Sequence, residues 1–491
     1  MEKYDIAVIG GGPSGYASAM RALDLNKKVI LIEASKIGGA GLHNGALSSK
    51  TLWELSKSVY QMKHSELSPS DFKTPPYSKV LEIMENAVQT RANQLYYQID
   101  QIQKLHPHLF RFANGRASLL NQNLIEITYP NQPSETVYAQ NIIIATGSRP
   151  RKIPNIPIDE KIIMTSDGIH QMKDYPESLV ILGAGVIGCE FATIYANFGK
   201  TKVFLIDKAD RILPFEDEDV ASMIAQNLEH LGVHIHKNAS LISMEIEDGR
   251  VKYILDFKNG KTQTFFAEKA LVSVGRVPNL EGLGLQNAGL TFNSKGYIDT
   301  KDGQSAVSNI YFVGDTTADI CLVNVGELEG RHIVEKICGF EHQPLIYENI
   351  STIMFLHPEV AGVGMNEIEA KNKGIPYQVA TYTYDYIGRA LCMQCPKGFF
   401  KILVSDDEHK KILGMRAVGE HASTAIQGVA LLIAQNLSIE AIAELIHPHP
   451  SIIEGIQECA RMLLGKSILK PEFFSNSLNC FRVYDGHRQN I

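Results

Sequence analysis

Cysteine is scarce in this chain of 491 residues, and it is unevenly placed. The seven cysteines are Cys189, Cys321, Cys338, Cys392, Cys395, Cys459 and Cys480, so the first 188 positions hold none. An odd, sparse set does not describe the paired framework of a small secreted protein. Long apolar runs are also missing. The nearest approach to one, Leu179 to Ala196, is broken by Gly183, Gly185, Gly188 and Glu190, where a membrane span needs about 18 apolar residues. Nor does one sign of charge dominate: 47 Lys and Arg against 54 Asp and Glu leave a net charge of −7. That balance gives no general attraction to nucleic acid or to an anionic membrane. Met1-Glu2-Lys3-Tyr4-Asp5 runs straight into a strand pattern, without a signal or transit segment. The expectation is a cytoplasmic protein with no membrane span and no nucleic-acid partner.

Apolar residues make up 44% and charged residues 21% of the chain. At one domain per ~150 residues the length suggests about three domains with large cores. The apolar run Tyr4 to Ile9 is followed by a glycine cluster, a helical pattern through Leu23 and the strand Val29 to Glu33. This is a β-α-β unit. The same grammar returns at Leu179 to Leu182, a glycine cluster, a helix to Phe198 and the strand Lys202 to Asp207. A long helix is predicted over Ser78 to Gln103, and strands and turns over 107 to 145. Pro150, Pro154 and Pro157 mark a boundary.

Each glycine cluster is a G-x-G-x-x-G fingerprint. In the first, Gly10, Gly12 and Gly15 allow a tight turn, a close phosphate approach and close packing of helix on strand. Glu33 then stands where a ribose hydroxyl is accepted. In the second, Gly183, Gly185 and Gly188 repeat the plan, and Asp207 ends the following strand. An acid there favours NAD over NADP, although Lys208 and Arg211 lie nearby and leave NADPH open. Two such units imply two dinucleotides and hydride transfer between them.

With these motifs in order, the chain resembles the pyridine nucleotide–disulfide oxidoreductases, in particular their dihydrolipoamide dehydrogenase and soluble transhydrogenase branches. The resemblance rests on the fingerprints, on Ala145-Thr146-Gly147-Ser148-Arg149-Pro150, on Gly275-Arg276-Val277-Pro278-Asn279, on Tyr311-Phe312-Val313-Gly314-Asp315 and on His357-Pro358-Glu359-Val360-Ala361. It implies two doubly wound, Rossmann-like α/β nucleotide-binding domains plus an α+β dimerisation domain. The expected boundaries are an FAD-binding domain over 1–150 and 275–348, an NAD-binding domain over 151–274, a dimerisation domain over 349–466 and a polar tail over 467–491. It also implies FAD and NAD(H) as cofactors, and a homodimer. To the FAD set it adds Gly39, Lys50, Ala117, Thr146, Gly147, Gly314 and Asp315, the last on the ribityl chain. To the NAD set it adds Gly275. Lys50 would lie beside the flavin and pair with Glu190, an acid in an otherwise apolar helix.

The departure from the family carries as much information. The family signature is a glycine pair, Cys-x4-Cys and Ser-Lys. This chain reads Gly38-Gly39-Ala40-Gly41-Leu42-His43-Asn44-Gly45-Ala46-Leu47-Ser48-Ser49-Lys50, with Gly41 and Ala46 at the cysteine positions. A disulfide relay needs two sulfurs. The soluble transhydrogenase also lacks a complete pair and carries a His where His43 stands, and Ile387-Gly388-Arg389-Ala390 is similar to that enzyme. On the other side, His447-Pro448-His449-Pro450-Ser451-Ile452-Ile453-Glu454 resembles the disulfide reductases, where His449 would be the acid–base that protonates a thiolate and Glu454 would orient it. Without the thiol, His449 is a relic or protonates another acceptor.

The expected function is an FAD-dependent oxidoreductase that oxidises NADH and reduces a small non-disulfide acceptor. The alternatives are a dihydrolipoamide dehydrogenase by descent without disulfide activity and a non-catalytic FAD/NAD redox sensor. Cys392-Met393-Gln394-Cys395 has no thioredoxin-like context and no second pair for zinc. It reads as a hairpin with two free thiols, and no metal site is expected.

Overall fold

The computed structural model describes residues 1–67, 69–258, 260–317, 320–340, 344–474 and 477–491. In chain order its helices are α1 (Pro13–Asp24), α2 (Gly39–Leu42), α3 (Ala46–His64), α4 (Tyr77–Leu105), α5 (Val186–Phe198), α6 (Glu218–His230), α7 (Val323–Ile337), α8 (Glu367–Asn372), α9 (Gly388–Cys392), α10 (Ala422–Ala434), α11 (Glu440–Ala443) and α12 (Glu454–Leu463). The chain divides into two compact units. One is Met1–Leu55, Pro75–Tyr175 and Val272–Leu345, and the other is Ser56–Thr74, Pro176–Leu271 and Ile346–Ile491.

The first unit is built on a seven-stranded sheet. Phe110–Asn114, Val29–Glu33, Lys3–Ile9 and Gln132–Ile144 run parallel, and Ile310–Phe312 pairs in parallel with the last of them. The strand Val29–Glu33 is apolar and buried over its first four residues, as expected of a parallel strand covered on both faces. Helices α1 and α7 pack together, and glycine makes the close approach possible. A Cβ on Gly330 would stand 2.3 Å from Ser14 O.

The second unit holds a Rossmann-like parallel sheet in the order His234–His236, Lys202–Ile206, Ser178–Leu182. It also holds a seven-stranded antiparallel sheet in the order Thr352–Met354, Val360–Gly364, Ile412–Val418, Phe399–Ser405, Tyr377–Thr383, Leu478–Tyr484, His487–Asn490. Helix α5 is apolar on all sides and buried along almost its whole length, which is what a core helix requires. Ser56–Thr74, within the segment 1–150 by sequence, groups with this unit. The reason lies in its side chains: Lys57 Nζ is 2.6 Å from Glu420 Oε1, and Lys63 Nζ donates to Phe198 O at 2.5 Å.

One expectation needs correction. The segment from residue 467 is not simply a tail, because Leu478–Tyr484 pairs antiparallel with Tyr377–Thr383 and His487–Asn490 pairs back on it. Strand alternation explains why. Leu478 and Cys480 enter the main core on one face of the sheet, and Phe481 and Val483 enter a smaller core on the other. Among the described residues no helix is long and apolar enough to cross a membrane.

Candidate functional site

The first fingerprint is shaped by backbone contact. Gly10 has φ +110°, and a Cβ there would meet Ala145 O at 2.3 Å; a Cβ on Gly15 would meet Gly10 O at 1.9 Å. Only glycine fits either position. Gly12 differs, since a Cβ on it would find no atom within 4 Å. It is the N-cap of α1, and no side chain caps the helix there. The turn therefore leaves helix N–H groups facing open space, a cradle suited to a pyrophosphate. Glu33 stands beside it: Oε2 accepts from Gly11 N at 2.6 Å and Oε1 from Ser35 N at 2.7 Å. Each carboxylate oxygen still has acceptor capacity for a ribose hydroxyl. Ala117 is buried in the strand Arg116–Leu119 of the same sheet.

From Gly12 a cavity of about 610 Å³ runs past Gly38 and Gly41 to Leu42 and Val323, a size typical of small-molecule sites. Around the turn at Thr146 and Gly147, Thr146 Oγ1 donates to Asn279 O at 2.6 Å, and Asn279 N donates to Gly147 O at 2.9 Å. Asp315, next to Gly314, accepts from Ser148 Oγ at 2.5 Å; Arg276 Nε donates to that hydroxyl at 2.7 Å and lies 4.0 Å from the carboxylate. Gly314 N donates to Glu329 Oε2 at 2.7 Å. Ser148, Arg276 and Glu329 were not singled out as site residues by the sequence reading. Arg276 stood inside a quoted motif, whereas the Glu329 contact has no sequence signal.

The second fingerprint repeats the geometry in the second unit. Gly183 has φ +102°. Gly185 is the N-cap of α5, and a Cβ on it would meet nothing within 4 Å. Gly188 is buried in α5. Asp207 Oδ2 accepts from Ala184 N and Oδ1 from Ala209 N, both at 2.8 Å. Arg211 turns to Pro214 O at 3.0 Å. Gly275, with φ +99°, belongs to the first unit, where its carbonyl accepts from Arg151 N at 2.9 Å.

The segment that departs from the family forms α2 and the start of α3. A Cβ on Gly41 would stand 2.5 Å from Pro13 Cγ and 3.4 Å from Val323 Cγ2. His43 Nε2 donates to Ile37 O at 3.0 Å, and burial pushes the His43 pKa below the ordinary range. Ser48 Oγ lies 3.3 Å from His170 Nε2, and burial lowers His170 to a pKa of about 4. That contact spans 122 residues and left no mark in the sequence. Lys50 lies on α3 in the first unit and Glu190 on α5 in the second, where Glu190 is buried and its Oε1 accepts from Phe355 N at 3.0 Å.

His449 and Glu454 meet. His449 Nδ1 is 2.8 Å from Glu454 Oε1, and Ser451 N donates to Glu454 Oε2 at 2.8 Å. Burial opposes ionisation of Glu454, but the Ser451 N–H and the His449 ring together hold its carboxyl below the ordinary range. The His449 ring itself is exposed. Cys392 closes α9, so the hairpin expected there is instead a helix C-terminus. Cys189 is fully buried, and burial pushes its thiol up, as suits a small apolar filler.

Comparison with known proteins agrees with this geometry. Residues 4–332 match the model of the pyridine nucleotide-disulphide oxidoreductases, and residues 350–460 match the dimerisation domain of the same family. A dihydrolipoyl dehydrogenase of Bacillus subtilis is 33% identical over 485 residues, covering 95% of this chain and 99% of that protein. One from Geobacillus stearothermophilus is 33% identical over 94% of this chain and 96% of its own length. Among solved structures, the Cu(II) complex of the HOCl-induced flavoprotein disulfide reductase RclA from Escherichia coli has a TM-score of 0.84 at 25% identity, covering 94% of this chain and all of that one. LpdA from Mycobacterium tuberculosis, at 23% identity and a TM-score of 0.85, shares the fold over 94% of this chain and all of its own. The chain is thus a member of the pyridine nucleotide–disulphide oxidoreductase family, whose members bind FAD and use NAD(H).

Proposed function

We propose that this chain is an FAD-dependent oxidoreductase that oxidises NADH and reduces a small acceptor that is not a disulfide. The observation that carries the reading is the packing at Gly41. The position matching the family's first cysteine has no sulfur, and Pro13 fills the space where a side chain would begin.

The residues of the first unit fit FAD. The open N-terminus of α1 at Gly12 would receive the pyrophosphate, with Gly10 and Gly15 closing the turn behind it. Glu33 would accept a ribose hydroxyl, Gly39, Ala117, Thr146 and Gly147 would line the cofactor, and Asp315 beside Gly314 would hold the ribityl chain. FAD, when bound, supplies the centre that accepts a hydride. Lys50 would place its ammonium beside that centre and balance negative charge there. In the second unit, Gly183, Gly185, Gly188 and Asp207 would hold NADH. Asp207 would repel a 2′-phosphate and so favour NADH. His449, oriented by Glu454, would move a proton at Nε2. In this reading it serves an acceptor other than a thiolate.

The match to the family's dimerisation domain supports a homodimer as the working assembly. The His449–Glu454 contact also favours a second reading, a dihydrolipoyl dehydrogenase by descent that retains the acid–base pair without the disulfide. Steady NADH turnover by the FAD-loaded dimer with a quinone or a dye as acceptor is the expected result. A protein that binds FAD and NADH but turns over with no acceptor would instead be a redox sensor.

A further inference from the structure

The Cys-x-x-Cys of the second unit takes no part in the function just described. Helix α9 ends at Cys392 in a closed cap: Gln394 N donates to Leu391 O at 3.0 Å, Cys395 N donates to Ala390 O at 3.0 Å, and Gln394 adopts φ +55°. These paired bonds with a left-handed residue between them form a Schellman motif, which folds the chain back over the last helical turn. The fold-back sets Cys392 and Cys395 three positions apart across one cap, and a disulfide between them needs Cα atoms ~4.4–6.8 Å apart. Cys392 is exposed and Cys395 half-buried, and both are free thiols.

The other cysteines offer no accessible pair. Cys189, Cys459 and Cys480 are buried. Cys321 and Cys338 are accessible but flank the 15-residue helix α7, whose length of roughly 22 Å at ~1.5 Å per residue keeps them apart.

We propose that Cys392 and Cys395 form a reversible dithiol–disulfide couple at the C-terminus of α9, a modification site that takes small-molecule disulfides as oxidant. The Cys392 thiolate attacks one sulfur of RS–SR. A bond forms from Cys392 to that sulfur, the RS–SR bond breaks, and RS⁻ leaves and takes up a proton. The Cys395 thiolate then attacks the Cys392 sulfur and expels the second RS⁻. The two protein thiols lose two electrons and two protons, and RS–SR becomes two RSH. Burial pushes the Cys395 thiol up, so this closing step quickens with rising pH. The mixed disulfide on Cys392 is the intermediate through which the pair must pass.

The test uses the full-length, FAD-loaded protein treated with oxidised glutathione, quenched by acid at intervals and digested with trypsin. Arg389 and Lys397 release residues 390–397, a peptide holding both cysteines and no others. The expected sequence is a glutathione adduct on this peptide, followed by a form two hydrogens lighter than the dithiol that takes up alkylating reagent only after reduction. Cys395→Ser should stop at the adduct, and Cys392→Ser should give no internal disulfide. A wild-type peptide that keeps two alkylatable thiols, or that carries a glutathione adduct which never resolves, overturns the proposal. Because the wild-type time course decides the matter, a variant that fails to fold does not weaken the test.

Discussion

The ring of Pro13 occupies the space that a side chain at Gly41 would need, with Cγ 2.5 Å from the Cβ position. No real Cβ contact is that short, so the backbone has settled around the missing atom. A larger side chain at this position would have to displace that ring.

Restoring the cysteines should therefore be asymmetric. Gly41→Cys is expected to destabilise the protein by about 1–3 kcal/mol, the usual cost of forcing volume into a packed site. Ala46→Cys adds one sulfur to a residue that already has a Cβ and should cost less. Adding Pro13→Ala to Gly41→Cys should recover part of the loss. Urea melts of the three variants measure this, and equal stability for Gly41→Cys and wild type would contradict the packing account.

Acid sensitivity follows from two half-buried histidines. Burial holds His170 and His357 each near a pKa of about 4, against ~6.5 in an unfolded chain. Above pH ~6.5 both states leave these rings neutral, and they contribute no pH dependence. Between pH ~6.5 and ~4 the unfolded chain binds protons that the native one refuses, so stability falls as pH falls, by up to ~1.4 kcal/mol per pH unit for each ring. His170→Gln should shrink that slope. Melts at about pH 7.5 and about pH 5 give the comparison, and an unchanged slope would show that His170 is readily protonated in the folded protein.

Lys401 anchors the second unit. Its side chain is 1% exposed, and its Nζ lies 2.7 Å from Asp217, 2.6 Å from Asp219 and 3.1 Å from Glu367. Burial works against its charge, but the three carboxylates hold it ionised above the ordinary range. Lys401→Met would leave those carboxylates crowded without a cation, at a cost of about 3–5 kcal/mol. Thermal unfolding tests this, and a loss below about 1 kcal/mol would mean that solvent already screens the cluster.

Cofactor preference should track Asp207. NADH is expected to be favoured over NADPH, and Asp207→Arg should move the preference toward NADPH. The substitution should also cost some affinity for both, because Asp207 ties down the N–H groups of Ala184 and Ala209. A wild-type preference for NADPH of about tenfold, ~1.4 kcal/mol, would place Lys208 or Arg211 in control instead.

The sequence made the nucleotide-binding architecture legible because its constraints are local. Gly10 and Gly183 each need positive φ at a fixed offset from a strand, and Glu33 and Asp207 each end the next one. What it hid depends on residues far apart in the chain. The Ser48–His170 contact, the buried Lys401 cluster and the place of Leu478–Tyr484 in the sheet each join segments separated by roughly a hundred residues or more. The C-terminal segment misled because Leu478–Tyr484 alternates between the main core and a smaller one, so neither face carries a continuous apolar pattern. The cap after Cys392 was missed because Gln394, rather than glycine, takes the left-handed position.

In the proposed reaction, electrons leave the flavin without passing through a disulfide. The direct measurement is NADH oxidation by the FAD-loaded dimer, with lipoamide, oxidised glutathione and a quinone offered separately at equal concentration. The account predicts steady turnover with the quinone and none above background with either disulfide. Robust reduction of lipoamide or glutathione disulfide by the wild-type protein would contradict it and would require other sulfurs, Cys392 and Cys395 first among them, to carry the electrons.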